Sequence, residues 1–210
     1  MKNDKKNSLQ KAIKDSIKAK NSLLKFENKI NTAIDNIYSK LSVGGKVFLC
    51  GNGGSAADAQ HLAAEFLVRL RPNVNRDPIA AISLATDVST ITACANDYSF
   101  NDLFSRNLEA LGCAKDILIA ISTSGNSKNI LNVLKTSKKK NIFSIAFLGN
   151  NGGKATKQAN ISLIVKSKIT ARIQETHILL GHYIFEKVEK KLLASKVQKK
   201  QLNKIKKVII

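Results

Sequence analysis

The chain has 210 residues, and 35 Lys and Arg against 15 Asp and Glu give it a net charge of +20 at neutral pH. With 43% hydrophobic and 24% charged residues it has a globular make-up, which excludes a disordered or collagen-like chain and leaves ample length for a core. A basic excess of this size is also what a phosphate-backbone partner would require, so its position along the chain matters.

The start, Met1-Lys2-Asn3-Asp4-Lys5-Lys6, is basic but leads into an amphipathic pattern without an apolar h-region, which argues against a secretory signal. From about Ser8 to Leu41, apolar residues recur at helical spacing: Leu9, Ile13, Ile17, Leu23, Leu24, Phe26, Ile30, Ala33, Ile34, Ile37 and Leu41. This predicts one long helix or two consecutive ones, ended by Val43-Gly44-Gly45. The middle of the chain alternates short apolar runs with helical stretches. Val47 to Cys50 reads as a strand, followed by Gly51-Asn52-Gly53-Gly54-Ser55 and a helix to about Leu70. Ile79 to Leu84 and Ile117 to Ile121 are further strands, the latter followed by Ser122-Thr123-Ser124-Gly125-Asn126-Ser127 and a helix from Asn129 to Lys139. Phe143 to Leu148 and Ile161 to Val165 complete the set, and Gln174 to about Lys207 returns to helix.

Apolar strands alternating with helices predict an α/β fold with a doubly wound parallel sheet, each strand buried on both faces. The expected organisation is a single domain, 1–210: a helical arm over 1–42, an α/β core over 43–170, and a C-terminal helix with basic tail over 171–210. No apolar run approaches the ~20 residues that span a bilayer. Cys50, Cys94 and Cys113 are odd in number and form no CxxC pair, so they read as small buried residues of a cytoplasmic protein, not as disulfides or a zinc ribbon.

Open parallel sheets bind ligands at the carboxyl ends of their strands, where helix N-termini point N–H groups into the crevice. Two loops suit that place. Gly51-Asn52-Gly53-Gly54-Ser55 lets a backbone approach a ligand closely, although a tight turn with Ser55 capping the next helix explains its composition equally well. It matches neither GxxxxGK[ST] nor GxGxxG, which argues against ATP and NAD. The second loop sets the hydroxyls of Ser122, Thr123, Ser124 and Ser127 where a buried strand hands over to a helix. A phosphate dianion offers only acceptors, and this loop offers donors. An ordinary cap of small polar residues is the competing explanation.

His61 and Glu65 lie four apart on the helix after the Gly-rich loop, so their side chains share one face. Gln174 and His182 sit on the C-terminal helix, with His177 rotated away and read as structural and with Glu175 and Glu186 read as solvated. Two imidazoles, a carboxylate and an amide oxygen suit either a divalent metal or an acid/base pair. A His–Glu pair on a solvated helix needs neither.

Here the sequence becomes recognisable. The run from Cys50 to Phe66 (CGNGGSAADAQHLAAEF) resembles the sugar isomerase (SIS) family, and within it the phosphoheptose isomerases. Ala95-Asn96-Asp97, Ser122 to Ser127, and Arg172-Ile173-Gln174-Glu175 with His182 downstream extend the likeness over essentially the whole chain. The resemblance implies that Asn52, Gly53, Gly54 and Ser55 line the sugar with Glu65, Asn96, Asp97 and Gln174. It implies that Ser122, Thr123, Ser124 and Ser127 grip the phosphate. It further implies a zinc site of His61, Glu65, Gln174 and His182, an acid/base pair of Glu65 and His182, and a homotetramer with active sites shared between subunits.

The implied reaction converts sedoheptulose 7-phosphate to the aldose heptose 7-phosphate, for lipopolysaccharide or capsule precursors. The residue types agree with it, since histidine titrates near neutrality and burial raises a glutamate towards it. A non-enzymatic branch of the family, which binds a replication initiator, lacks the carboxylate four residues after the histidine, whereas Glu65 is present here. Another phosphosugar isomerase and a nucleic-acid binder are the remaining alternatives. Against the last, residues 1–25 carry a net +6 and 187–210 a net +8, leaving only +6 for 26–186. Most of the excess therefore sits on terminal helices, and no nucleic-acid or membrane partner is expected.

Overall fold

The computed structural model describes residues 8–208, with side chains through 195; the basic start Met1 to Lys6 and the lysine side chains from Lys196 onward lie outside the described residues. Helix α1 (Leu9–Asn21) opens on Ser8, whose hydroxyl accepts from the Lys11 N–H, and α2 (Glu27–Ser42) follows. Between them the predicted helical stripe is broken by a 3-10 turn, Ser22–Phe26. The break has a local cause. The Ser22 hydroxyl donates back to the Ala19 carbonyl at 2.6 Å and accepts from the Lys166 N–H at 3.0 Å, competing with the helical ladder.

The sheet is wholly parallel: β1 (Val47–Cys50), β2 (Ala81–Ser83), β3 (Ile117–Ser122), β4 (Phe143–Gly149) and β5 (Ile161–Val165), in the order β2-β1-β3-β4-β5. Alternate residues face two separate cores. Val47, Leu49, Ile117, Ile119, Ile121, Ile145 and Phe147 pack under α1, α2, α3 (Gly54–Leu67) and α7 (Thr170–Val208). Phe48, Cys50, Leu118, Ala120, Ala146 and Leu148 pack under α4 (Val88–Asp97), α5 (Leu103–Leu111) and α6 (Lys128–Lys139). Burial on both faces is why the strands read as unbroken apolar runs.

The strand order reverses between β1 and β3, so the loops after these two strands diverge and leave a crevice at their carboxyl ends. Both loops singled out in the sequence follow these strands.

Three expectations are corrected and one is refined. Helices α4 and α5 were not anticipated: α4 is short, rich in β-branched and polar residues, and buries only Cys94, while α5 spans nine residues and buries Leu103, Phe104 and Leu108. Helix α3 stops at Leu67, short of Leu70. Glu175 is partly exposed, as expected of a solvated position, but also structural: it accepts from the Ser16 hydroxyl at 2.8 Å and pairs with Arg172 at 2.6 Å, while Arg172 also donates to the Ala12 carbonyl, docking α1 on α7. Cys50 and Cys94 are buried as expected, but Cys113 is exposed. Glu186 does lie at the surface, paired with Lys190. Among the described residues no helix is long and apolar enough to cross a membrane.

Candidate active site

The crevice is built from the two loops at the switch point. Gly53 caps α3 with φ +55° and ψ −123°, a conformation that β-carbon-bearing residues avoid, and nothing lies near the place a Cβ would take. The glycine is needed for the backbone, not for space. Because the helix begins at Gly54, Ser55 falls in its first turn and is buried there; the reading of Ser55 as the cap is therefore corrected. The neighbouring loop is tied to this one by a reciprocal amide pair. Asn52 Nδ2 donates to Asn129 Oδ1 at 2.9 Å, and Asn129 Nδ2 donates to Asn52 Oδ1 at 2.8 Å.

In the serine loop, Ser122 is buried and its hydroxyl accepts from the Gly125 N–H at 3.0 Å, closing the turn. Ser124 accepts from the Asn126 N–H at 3.2 Å. Ser127 takes the N-cap position of α6 without a side-chain capping bond, which leaves its hydroxyl beside the positive end of that helix. Thr123 lies half-buried between them.

Helices α3 and α7 run parallel in close contact. Gln174 packs its amide against Gly54, Gly181 sits against Leu62, and the Phe66 and Phe185 rings stack with centroids 3.7 Å apart. This register brings together groups 121 residues apart: His61 Nε2 and His182 Nε2 are 2.9 Å from each other. Glu65 Oε1 lies 3.2 Å from His61 Nε2, and all three ligand atoms fall within 4.8 Å of one another. His61 is 51% exposed and Glu65 17%, so the cluster opens to solvent on the His61 side. Gln174, the fourth residue of the expected set, has its amide beside Gly54, about seven helical residues or ~10 Å along α3 before His61.

The donor set fits a metal ion. Ligand atoms held tetrahedrally 2.0–2.1 Å from zinc stand about 3.3 Å apart, close to the separations seen here, and two imidazoles with a carboxylate are a zinc-type set. Burial, and then the neighbouring His61, lower the His182 pKa below its usual value, while Glu65 pulls it back up. At neutral pH the ring is therefore the free base.

Asp58, one turn before His61 and unmentioned in the motif reading, has its Oδ2 buried without a partner; burial raises its pKa and His61 opposes the rise. Its helical spacing to His61 and Glu65 would have put it on the same face. Asn129 was missed too, since a single asparagine after a serine loop carries no signal of its own. Asn96 and Asp97 end α4, exposed and bonded to each other at 2.8 Å. His177 is fully buried, as its rotation away from His182 suggested.

Residues 9–149 match the SIS domain family. Over 195 residues the chain is 44% identical to the phosphoheptose isomerase of Clostridium acetobutylicum, covering 91% of this chain and 98% of the relative. It belongs to the phosphoheptose isomerase family of SIS-domain enzymes. A second member, from Sulfurimonas denitrificans, is 46% identical over 197 residues, covering 91% of this chain and 99% of that one. Among solved structures, the phosphoheptose isomerase of Neisseria gonorrhoeae superposes with a TM-score of 0.79 at 39% identity, covering 87% of this chain and all of that one. The family likeness therefore spans the parallel sheet, both loops and the paired helices that carry His61, Glu65 and His182.

Proposed function

We propose that the chain interconverts sedoheptulose 7-phosphate and the aldose heptose 7-phosphate. What supports this reading is the meeting of His61, Glu65 and His182 on α3 and α7, together with a serine loop at the N-terminus of α6 beside the same switch point. The ~10 Å of helix between Gly54 and His61 is comparable with the extended length of a seven-carbon phosphate ester, so the phosphate and the reacting carbons can be held at opposite ends.

Ser122, Thr123, Ser124 and Ser127, with the α6 N-terminus, would hold the phosphate; Asn52, Gly53, Gly54 and Ser55 would line the chain together with Asn96, Asp97 and Gln174. At the far end the proton is moved. A base removes a proton from C1, its electrons form the C1–C2 double bond, and O2 takes a proton, giving an enediol. Protonation at C2 with loss of the O1 proton then leaves the aldehyde at C1. Glu65 and His182 are the pair assigned to these transfers. The carboxylate lies beside the imidazole cluster, and whichever of Glu65 and His182 takes the proton would have to leave a bound ion when substrate enters. His61, Glu65, His182 and Gln174 would hold a zinc ion. Such an ion would supply Lewis-acid polarisation of the carbonyl.

An apolar groove of about 470 Å³ runs beside His182, lined by Leu23, Leu24, Ile30, Leu179, Leu180 and Tyr183. Leu24 is 72% exposed, and Ile13 and Ile17 of α1 are also open to solvent. These faces support a homotetramer in which a neighbouring subunit covers the groove and completes the site. We assign the enzyme to the cytoplasm and its product to surface-polysaccharide precursors.

The test is direct. Purified protein should convert sedoheptulose 7-phosphate to an aldose and lose that activity with a chelator. Glu65→Gln should abolish turnover while the protein stays folded by circular dichroism; near-normal activity in that variant would remove Glu65 from the chemistry.

A further inference from the structure

A second charged cluster lies at the far end of the same helix pair. Glu189, on α7 two turns beyond His182, is almost wholly buried. Its Oε1 accepts from Arg76 Nε at 2.5 Å and its Oε2 from Arg71 Nε at 2.7 Å. Arg76 is itself buried and gives three further N–H groups to backbone carbonyls: Nη2 to Glu65 at 2.7 Å, Nη1 to Phe66 at 2.9 Å and to Asp77 at 3.0 Å. The Glu65 and Phe66 carbonyls belong to the last turn of α3, where no further helical N–H is available to them. Arg76 therefore closes the end of α3 and, through Glu189, fastens it to α7.

Stability alone is a weak reason for such a pair. Desolvating a guanidinium and a carboxylate offsets most of their attraction, and well-packed apolar residues often do as well. What a planar guanidinium does that they cannot is fix several acceptors at set angles and distances. Here the acceptors belong to two helices, and one of them is the carbonyl of Glu65 itself.

We propose that the Arg76–Glu189 pair is a positioning device for the site: it sets the axial register of α3 against α7 and thereby the placement of Glu65 relative to His182. Neither residue touches the crevice groups directly with its side chain; both act through the backbone of α3 and the frame of α7. The proposal rests on the assignment of Glu65 and His182 to the chemistry, but the register it concerns is a property of the fold and can be read without activity.

Arg76→Lys keeps the charge and loses the fork, and Glu189→Gln keeps the shape and loses the charge. In either variant, kcat should fall about 10- to 100-fold, the range seen when groups supporting a site's ligands are removed. KM for the sugar phosphate should stay near its wild-type value, because the serine loop lies at the other end of the crevice. In metal-free protein labelled with 15N-histidine, the ring resonances of His61 and His182 should shift while those of His177, which faces the sheet, do not. Glu189→Asp should recover part of the kcat.

A merely structural pair predicts otherwise: a lower melting temperature, with kcat per folded molecule and the ring resonances of His61 and His182 unchanged. That result would overturn the proposal. If Arg76→Lys does not fold, the Glu189 variants carry the same measurements. If the wild-type protein converts no sedoheptulose 7-phosphate, the functional reading fails and the ring resonances alone decide the positioning role: moved, it stands; unmoved, it falls.

Discussion

Gly181 is the point at which the packing of α3 on α7 can be tested most sharply. A Cβ added there would stand 2.5 Å and 2.6 Å from the two methyl carbons of Leu62 and 3.1 Å from its Cγ. Carbon atoms pack at 3.5–4.0 Å, so the shortfall is about 1 Å. Leu62 is fully buried, so its methyls cannot swing aside without displacing core neighbours. The helices must then part or the core must strain, at a cost of roughly 1–3 kcal/mol. Replacing glycine by alanine in a helix interior returns about 1 kcal/mol, so the net loss of stability in Gly181→Ala should be only about 0–2 kcal/mol.

The site should suffer more. His61 and His182 flank Leu62 and Gly181 in sequence, and their nitrogens are only 2.9 Å apart. Metal ligands tolerate errors of about 0.2 Å, and a 1 Å misplacement of reacting groups costs on the order of 100-fold in rate. Zinc affinity, measured by competition with a chromophoric chelator, should drop at least tenfold in Gly181→Ala while the protein remains folded. Adding Leu62→Ala removes the clashing methyls. The double variant should therefore bind zinc better than Gly181→Ala and show a stability coupling of about 1 kcal/mol or more between the two sites. Wild-type zinc affinity and rate in Gly181→Ala, with additive stabilities in the double variant, would refute the claim that this contact sets the spacing.

Two further outcomes follow from buried groups. Burial holds the His177 pKa down at about 4, with the Leu148 carbonyl opposing weakly and neither ring nitrogen making a full hydrogen bond. The unfolded chain, titrating near 6.5, takes up the proton first, so this contribution is intact above pH 6.5 and is lost as pH falls towards 4. Wild-type stability by chemical denaturation should drop by about 2 kcal/mol more between pH 7 and pH 5 than that of His177→Leu; equal slopes would contradict the assignment. Asn129→Leu leaves the Asn52 amide without its partner, which costs about 1–3 kcal/mol and frees the Gly-rich loop. Its KM for the sugar phosphate should rise, and an unchanged KM would show that the loop is held by other contacts.

The strands were legible because each is buried on both faces, and an apolar run of that length between glycine- and serine-rich turns has few other uses. The helices were legible largely through their apolar stripes, although α5 carries one, burying Leu103, Phe104 and Leu108, and was not anticipated. Amphipathic α6 and the α2 stripe stand out, whereas α4 buries only Cys94 and betrays itself chiefly through Asp87, whose side chain caps it by accepting from the Ser89 and Thr90 N–H groups. The end of α3 was misplaced for a different reason. The sequence beyond Leu67 retains apolar residues, and the last carbonyls of α3 are met from outside the helix, Glu65 by Arg76 and Phe66 by Arg76 and the Ile79 N–H, which no local pattern reveals.

The site follows the same division. Local spacing put His61 and Glu65 on one face and the serines at a helix start, because both depend on neighbours within a turn. The approach of His182 depends on the α3–α7 register, fixed by contacts between residues more than a hundred positions apart: Leu62 with Gly181, Phe66 with Phe185, Arg76 with Glu189. Gln174 sits on the same seam, its amide beside Gly54 at the start of α3, again a contact between residues more than a hundred positions apart. The large positive charge has no part in this geometry. Described lysines such as Lys11, Lys190 and Lys191 pair with acids on helix surfaces, whereas the cluster of His61, Glu65 and His182 is built from two imidazoles and one carboxylate. On the proposed function, selectivity for a sugar phosphate would come from neutral hydroxyls, N–H groups and a helix end. These reward the position of a phosphate as much as its charge, and so hold the reacting carbons at a fixed distance from it.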